Sequence, residues 1–193
     1  MPDKPTIYFI RHGETDWNRD RRYQGQKDIP LNETGRAQAH RNGEALRTFL
    51  PAIASADFLA SPLGRTRETM EIVRRELRLP PEGYTVEPRL IELSYGIWEG
   101  LLQDDLMQSA AYAARTRDAY RWRPDRGESY ADLFLRVSDW AETVRRDCVI
   151  VAHGGVSRCL RAHMLGLDPT RIPELESPQD RVLILNRGRM RWL

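Results

Sequence analysis

The sequence predicts an α/β layer fold with a largely parallel sheet. Short β-branched or aromatic runs occur at 6–10, 57–60 and 148–152. Two of the three stop abruptly at a polar turn carrying a histidine, and segments of helical period stand between the runs. The chain has 193 residues, 40% of them apolar and 30% charged, enough to bury a sizeable core in a globular protein.

The elements follow in order. Thr6 to Ile10 reads as a buried strand ending at Arg11-His12-Gly13-Glu14-Thr15. Residues 16–34 are polar and broken by Gly25 and Pro30, so they read as a long functional loop. A helix is expected over 35–49, with Ala45, Leu46 and Phe49 inward. Asp57 to Ala60 reads as a second strand, and Ser61-Pro62 as the opening of a helix with Ser61 as its cap. Thr66, Thr69, Met70, Val73 and Leu77 would carry that helix's inward face, with Pro80-Pro81 stopping it. Residues 84–93 are expected to be extended, leading to Glu92 and a turn at Gly96. Residues 100–128 are weakly periodic and read as an insertion or lid within a single domain spanning 1–193. Ser129 is placed to cap an amphipathic helix that turns Tyr130, Leu133, Phe134, Val137, Trp140, Ala141 and Val144 inward. Cys148 to Ala152 is a strand ending at His153-Gly154-Gly155, and a helix is expected over 156–165. Two final strands, 181–185 and 189–193, would form a hairpin around Asn186-Arg187-Gly188.

Composition narrows the function classes. The 30 basic and 28 acidic residues leave a formal +2, which gives no general case for nucleic-acid binding or a polybasic membrane surface. All the basic residues except Lys4 and Lys27 are arginines, through either codon usage or a demand for planar anion clamps. Cys148 and Cys159 read as core thiols. No CxxC or HxxxH pattern offers a metal site, so no metal or cofactor is expected. The apolar runs are too short to span a bilayer, and Met1 to Pro5 leads into a strand without a signal-like apolar stretch. A cytoplasmic protein is the expectation.

In a parallel sheet, ligands bind beyond the carboxyl ends of strands. Arg11-His12 and His153-Gly154 both stand at such ends. A neutral imidazole is a competent nucleophile near pH 7, a guanidinium is an anion clamp, and Gly13 allows close approach to the backbone. The electrophile that suits this pair is a phosphoryl group. Arg65 falls in the first turn of the expected second helix, where the helix dipole also favours an anion. Glu92 could act as a general acid if a bound phosphate raises its pKa. Arg67 is given no role, and His40, His163, Trp17 and Trp98 read as structural.

Taken in order, Arg11-His12-Gly13-Glu14-Thr15, Ser61-Pro62-Leu63-Gly64-Arg65 through Thr69, Glu92 before Tyr95-Gly96-Ile97-Trp98-Glu99-Gly100, and His153-Gly154-Gly155 resemble the histidine phosphatase superfamily. The resemblance to this family, also called phosphoglycerate-mutase-like, runs from about Tyr8 to Leu165. It implies a three-layer α/β/α sandwich. It implies that His12 is the nucleophile that becomes phosphorylated, and that Arg11, Arg65 and a protonated His153 hold the phosphoryl group. Glu92 would protonate the leaving oxygen and later deprotonate water. Asn18 matches a phosphate contact, while Gln24, Gly25 and Gly154 match substrate-binding positions. The implied activity is metal-independent hydrolysis of a small phosphorylated metabolite. The implied partner is that substrate, with a homodimer as an allowed state. The compact chain, Gln24 and the Tyr-Gly-Ile-Trp-Glu-Gly stretch are similar to small bacterial phosphatases that act on alpha-ribazole phosphate or on many substrates. The alternatives are a cofactor-dependent phosphoglycerate mutase and a non-catalytic member that binds phosphate ligands. The second would have lost His12, Arg65, Glu92 or His153, and none is lost. Arg115, Arg117, Arg121, Trp122, Arg123 and Arg126 could line an anionic pocket mouth or form the solvated face of a lid.

Overall fold

The computed structural model describes residues 5–50, 53–186 and 188–193. The expectations placed on Met1 to Lys4 and on Arg187 lie outside them. The chain forms β1 (Ile7–Arg11), α1 (Asp16–Arg19), α2 (Glu33–Phe49), β2 (Asp57–Ala60), α3 (Gly64–Glu76) and β3 (Thr85–Val86). It continues with α4 (Gln103–Leu106), α5 (Ala110–Arg117), α6 (Tyr130–Ala141), β4 (Cys148–Ala152), α7 (Gly154–Leu165), β5 (Val182–Asn186) and β6 (Arg189–Trp192).

The six strands make one sheet in the order β3-β2-β4-β1-β5-β6. The four from β3 to β1 are parallel, and β5 runs antiparallel between β1 and β6. Alternation along each strand divides the core. Ile7 and Phe9 of β1 join Cys148, Ile150 and Ala152 of β4 against Leu133, Val137 and Trp140 of α6 and Val156 and Leu160 of α7. Tyr8, Ile10, Val149 and Val151 face the other way, onto Leu46 of α2 and Met70 and Val73 of α3. A strand buried on both faces reads as a continuous apolar run, as β1 and β4 do. The layers are therefore helices, sheet and helices, as expected.

Several local expectations change. The 16–34 loop contains α1, because Thr15 and Asn18 cap each other's backbone in a capping box. In α2 the buried stripe is Gly35, Ala39, Asn42, Gly43 and Leu46; Ala45 is half-buried, and Phe49 lies outside under Arg191. Small residues are needed there because α3 packs close: a Cβ on Gly43 would stand 3.2 Å from the Val73 backbone. Ser61 does not cap α3. The helix starts three residues later, after Leu63, without a side-chain cap. It ends at Glu76, before the prolines. Of 84–93 only Thr85–Val86 is strand, and Pro88–Leu90 turns into a 3-10 helix. Ser129 does cap α6, in a capping box with Asp132, and the final hairpin forms. Val144 lies beyond the end of α6, and Val144, Phe134 and Ala141 pack half-buried against the core. The helix after β4 begins at Gly154, two residues early, because His153 is already extended as its N-cap. Both cysteines are free and buried, and burial pushes the Cys148 thiol up to about 12. No described helix is long and apolar enough to cross a membrane.

Candidate active site

Parallel pairing of β1 with β4 sets their carboxyl ends side by side, Arg11 against Ala152. The His12 backbone N–H donates to the Ala152 carbonyl at 2.9 Å, and the His12 and His153 rings stand 5.2 Å apart. The two histidines expected at the mouth are thus neighbours.

The His12 ring orientation is set locally. Nδ1 lies 2.8 Å from the Gly13 carbonyl, which can only accept, so Nδ1 carries the proton and Nε2 keeps its lone pair. Burial, then Arg65, then Arg11 hold the imidazole well below its usual pKa. His12 is thus held in its neutral form. The Gly13 N–H, in turn, donates to Thr69 Oγ1 of α3.

Arg65 is only 1% exposed and sits between both histidines, its Nε 3.3 Å from His12 Nε2 and an Nη 3.3 Å from His153 Nδ1. The carbonyls of Gly25 and Lys27 accept from its other N–H groups at 2.7 and 2.6 Å. With the Gln24 amide oriented to satisfy its neighbours, its oxygen accepts from Arg65 Nε at 2.7 Å and its nitrogen donates to Thr15 Oγ1. The shorter bond to Gln24 leaves the His12 lone pair open. Burial brings the guanidinium down to about 10, still charged at neutral pH.

His153 is fully buried, with Nε2 2.6 Å from Ser61 Oγ. Because Arg65 can only donate to Nδ1, the neutral ring carries its proton on Nε2 and gives it to Ser61. Burial and the charge of Arg65 hold His153 well below the usual imidazole value. Both influences favour the neutral His153 ring, where the resemblance implies a protonated one, and the charge fixed beside it is that of Arg65. The bond from Nε2 also explains Ser61, whose hydroxyl serves His153 instead of α3.

Arg11 gives an Nη to the Ser177 carbonyl at 2.5 Å, while its buried Nε has no partner. Burial, then the like charge of Arg158, bring it down to about 10. Glu92 accepts from the Leu93 N–H at 2.9 Å and from the Gly155 N–H at 3.1 Å. Asn18 Oδ1 accepts from Gln179 Nε2, which also holds the His12 carbonyl.

A cavity of about 290 Å³ collects these groups. Arg11, His12, Asn18, Gln24, Gly25, Arg65, Glu92 and Gly154 all line it. His153 closes the site from behind, through Arg65. The cavity is also lined by residues that the sequence reading did not name as site residues: Arg22, Tyr23, Tyr95, Tyr112, Tyr130 and Arg158. Of the arginines in 115–126 only Arg115 reaches the cavity; Arg117, Arg121, Arg123 and Arg126 are exposed outside it. Trp122 instead packs on Trp98 at 4.3 Å, so Trp98 is a packing residue as expected. His40 and His163 pair with Glu76 and Glu142 away from the site. Among the described residues no group of three or more His, Cys, Asp or Glu is placed to share a metal ion.

A buried nucleophile beside two guanidinium groups and a carboxyl can transfer a phosphoryl group. Known proteins agree with that chemistry. The histidine phosphatase superfamily (branch 1) matches residues 7–193. A probable phosphoglycerate mutase of Enterobacter sp. (strain 638) is 34% identical over 172 residues, 83% of this chain and 75% of that protein. The mycobacterial glucosyl-3-phosphoglycerate phosphatase, solved with VO3, superposes with a TM-score of 0.79 at 29% identity, covering 98% of this chain and 96% of that one. The alpha-ribazole phosphatase of Shigella flexneri superposes with a TM-score of 0.78 at 28% identity, over 96% and 93%. This chain, with its mostly parallel sheet and its histidines at the strand ends, belongs to the histidine phosphatase superfamily, branch 1.

Proposed function

We propose that the protein hydrolyses the phosphate monoester of a small metabolite through a phosphohistidine at His12, without a metal. The observation that carries this is the state of His12: neutral, proton on Nδ1, lone pair on Nε2, beside Arg65. Nε2 attacks phosphorus while the ester P–O bond breaks. Glu92 donates a proton to the departing oxygen. The Glu92 carboxylate then takes a proton from water, whose oxygen attacks phosphorus as the P–N bond breaks. Inorganic phosphate leaves, and His12 and Glu92 return to their starting states. Arg11 and Arg65 hold the phosphoryl oxygens, and Asn18, Gln24, Gly25 and Gly154 shape the phosphate end of the cavity. His153, with its Nδ1 toward Arg65, backs that guanidinium and keeps it turned to the phosphoryl group. The phosphatases among the superposed proteins support hydrolysis, and the vanadate in one of them is a phosphoryl analogue.

The test is release of phosphate from p-nitrophenyl phosphate and a metabolite panel in EDTA, with His12→Ala beside the wild type. Turnover should survive EDTA and fall by at least ~10³-fold in the variant. Loss in EDTA, or a variant as fast as wild type, overturns the proposal. A second reading, phosphoglycerate mutase, rests on the name carried by the Enterobacter relative. Conversion of 3-phosphoglycerate with 2,3-bisphosphoglycerate present, without net phosphate release, would select it.

A further inference from the structure

The cavity has more positive charge than the two arginines assigned above. Arg158 lies on α7, four residues after Gly154, so the two share a helix face. A long helical side chain points back toward the helix N-terminus. A Cβ on Gly154 would stand 3.5 Å from Arg158 Nη1 and 3.5 Å from both Nε and Cζ of Arg11. Two guanidinium groups therefore flank the bare first residue of α7, at the positive end of a 12-residue helix.

Both groups donate to neutral acceptors of the chain. Arg11 donates to the Ser177 carbonyl, and its Nε is buried without a partner. Arg158 donates to the Leu175 carbonyl and, at 3.2 Å, to the Tyr130 hydroxyl. Glu92, the one carboxylate among the lining residues, gives its oxygens to the backbone of Leu93 and Gly155. The like charge of Arg158 lowers the Arg11 pKa by more than Glu92 raises it, a cost to the Arg11 charge, while Tyr130, Tyr95 and Glu92 hold the Arg158 pKa up. An anion seated on Gly154 would remove that cost.

We infer that Arg158 is a phosphate-binding residue of this site, a third guanidinium that meets the phosphoryl oxygens beside Arg11. The inference rests on the phosphoryl-transfer reading of the cavity. It supplies the permanent charge that neutral His153 does not. Leu175 and Tyr130 then have a definite part: they fix the plane of the fork so that its remaining N–H groups face the cavity.

Binding of inorganic phosphate by calorimetry, across a salt series, tests this without turnover. Thermal unfolding is recorded for each protein. Arg158→Met should weaken phosphate binding roughly 10- to 100-fold and flatten its salt dependence, because one cation is gone. Arg158→Lys keeps the charge but not the fork, so it should bind three- to tenfold more weakly, roughly, with the wild-type salt slope. A merely structural role would lower affinity in both variants with the slope unchanged, and that result overturns the inference. So does phosphate affinity within about threefold of wild type in the Met variant or, should that variant not fold, in the Lys variant. A protein that binds phosphate through Arg158 but hydrolyses no ester sinks the hydrolase proposal alone. Hydrolysis with phosphate binding indifferent to residue 158 sinks this inference alone.

Discussion

Arg65, at the inner end of the cavity, is 1% exposed, bonded to two carbonyls, Gln24 and His153, and in contact with His12. In the 100–128 segment, Arg121 and Arg123 leave 70% and 67% of their side chains in water and hold only long pairs to Asp118 and Asp132. Both regions are rich in arginine, yet only the first holds a guanidinium among buried partners. The inner arginine is fixed by a helix start, and its neighbours stand on paired strand ends. The outer ones stand on short helices and turns, where salt and water screen them. Arginine content alone is therefore a poor guide to an anion site; the number of fixed neutral acceptors around each guanidinium separates the two kinds.

The sharpest way to break this contrast is Arg65→Met. Removing the charge that touches both histidines should cost about 10³-fold or more in kcat/KM for every substrate. A loss below tenfold would mean that the inner site does not depend on it.

Gly155→Ala comes next. A Cβ there would collide with Glu92 Oε1 and approach Leu133 Cδ2 to 2.9 Å, so the carboxyl must move. Loss of a positioned general acid should lower kcat about 10²-fold for alkyl phosphates. p-Nitrophenyl phosphate, whose leaving group needs little protonation, should lose far less. Equal losses on both would remove Glu92 from the acid role.

Ser61→Ala deletes the acceptor of the His153 Nε2 proton. An unpaired buried N–H costs about 1–3 kcal/mol, and kcat should fall roughly tenfold as the ring loses its fixed tautomer. Nitrogen NMR of His153 reads that tautomer directly; an unchanged spectrum would reduce Ser61 to packing.

The pH response should also separate the regions. His12 and His153 have folded-state pKa values pushed well below 6.5. Below about pH 6.5 the unfolded chain binds protons that these two rings refuse, so stability is full above that pH and is lost as pH falls toward their folded values. kcat/KM should show no fall centred near 6.5, because the nucleophile stays unprotonated. A limb there would contradict the neutral His12.

The smallest effect belongs to the outer wall. Arg115→Ala should shift KM a few-fold, in a substrate-dependent way, because Arg115 lines the cavity over the Tyr112 ring. Arg121→Ala and Arg123→Ala should stay within about twofold on all substrates. A panel in which Arg123 matters more than Arg115 would reverse this placement.

The sequence showed the parallel strands and both histidines because β1 and β4 are continuous apolar runs that end in polar turns. Signals that act over one helical turn, such as Ser129 capping α6, were also legible. Ser61 was misread because Ser-Pro is a local capping signal, whereas its real partner lies 92 residues away. Phe49 followed the period of a longer inward stripe, but close packing of α3 selected the small-residue face instead. Arg158 gave no signal because its meaning depends on α7 starting at Gly154, two residues earlier than periodicity suggested. Residues 100–128 carried no pattern that distinguishes Arg115 from its exposed neighbours.

Among the six strands the one that leads to His12 is made first, and both of its sheet neighbours come late. Both neighbours of β1 are β4 and β5, whose residues begin at Cys148 and Val182. On a ribosome adding roughly 5–20 residues per second, the apolar run Ile7 to Ile10 waits on the order of ten seconds or more for either partner. Until then this segment has no sheet neighbour to pair with. A chain truncated before β4 would keep the complete Arg-His-Gly-Glu-Thr motif and have no sheet neighbour to hold it.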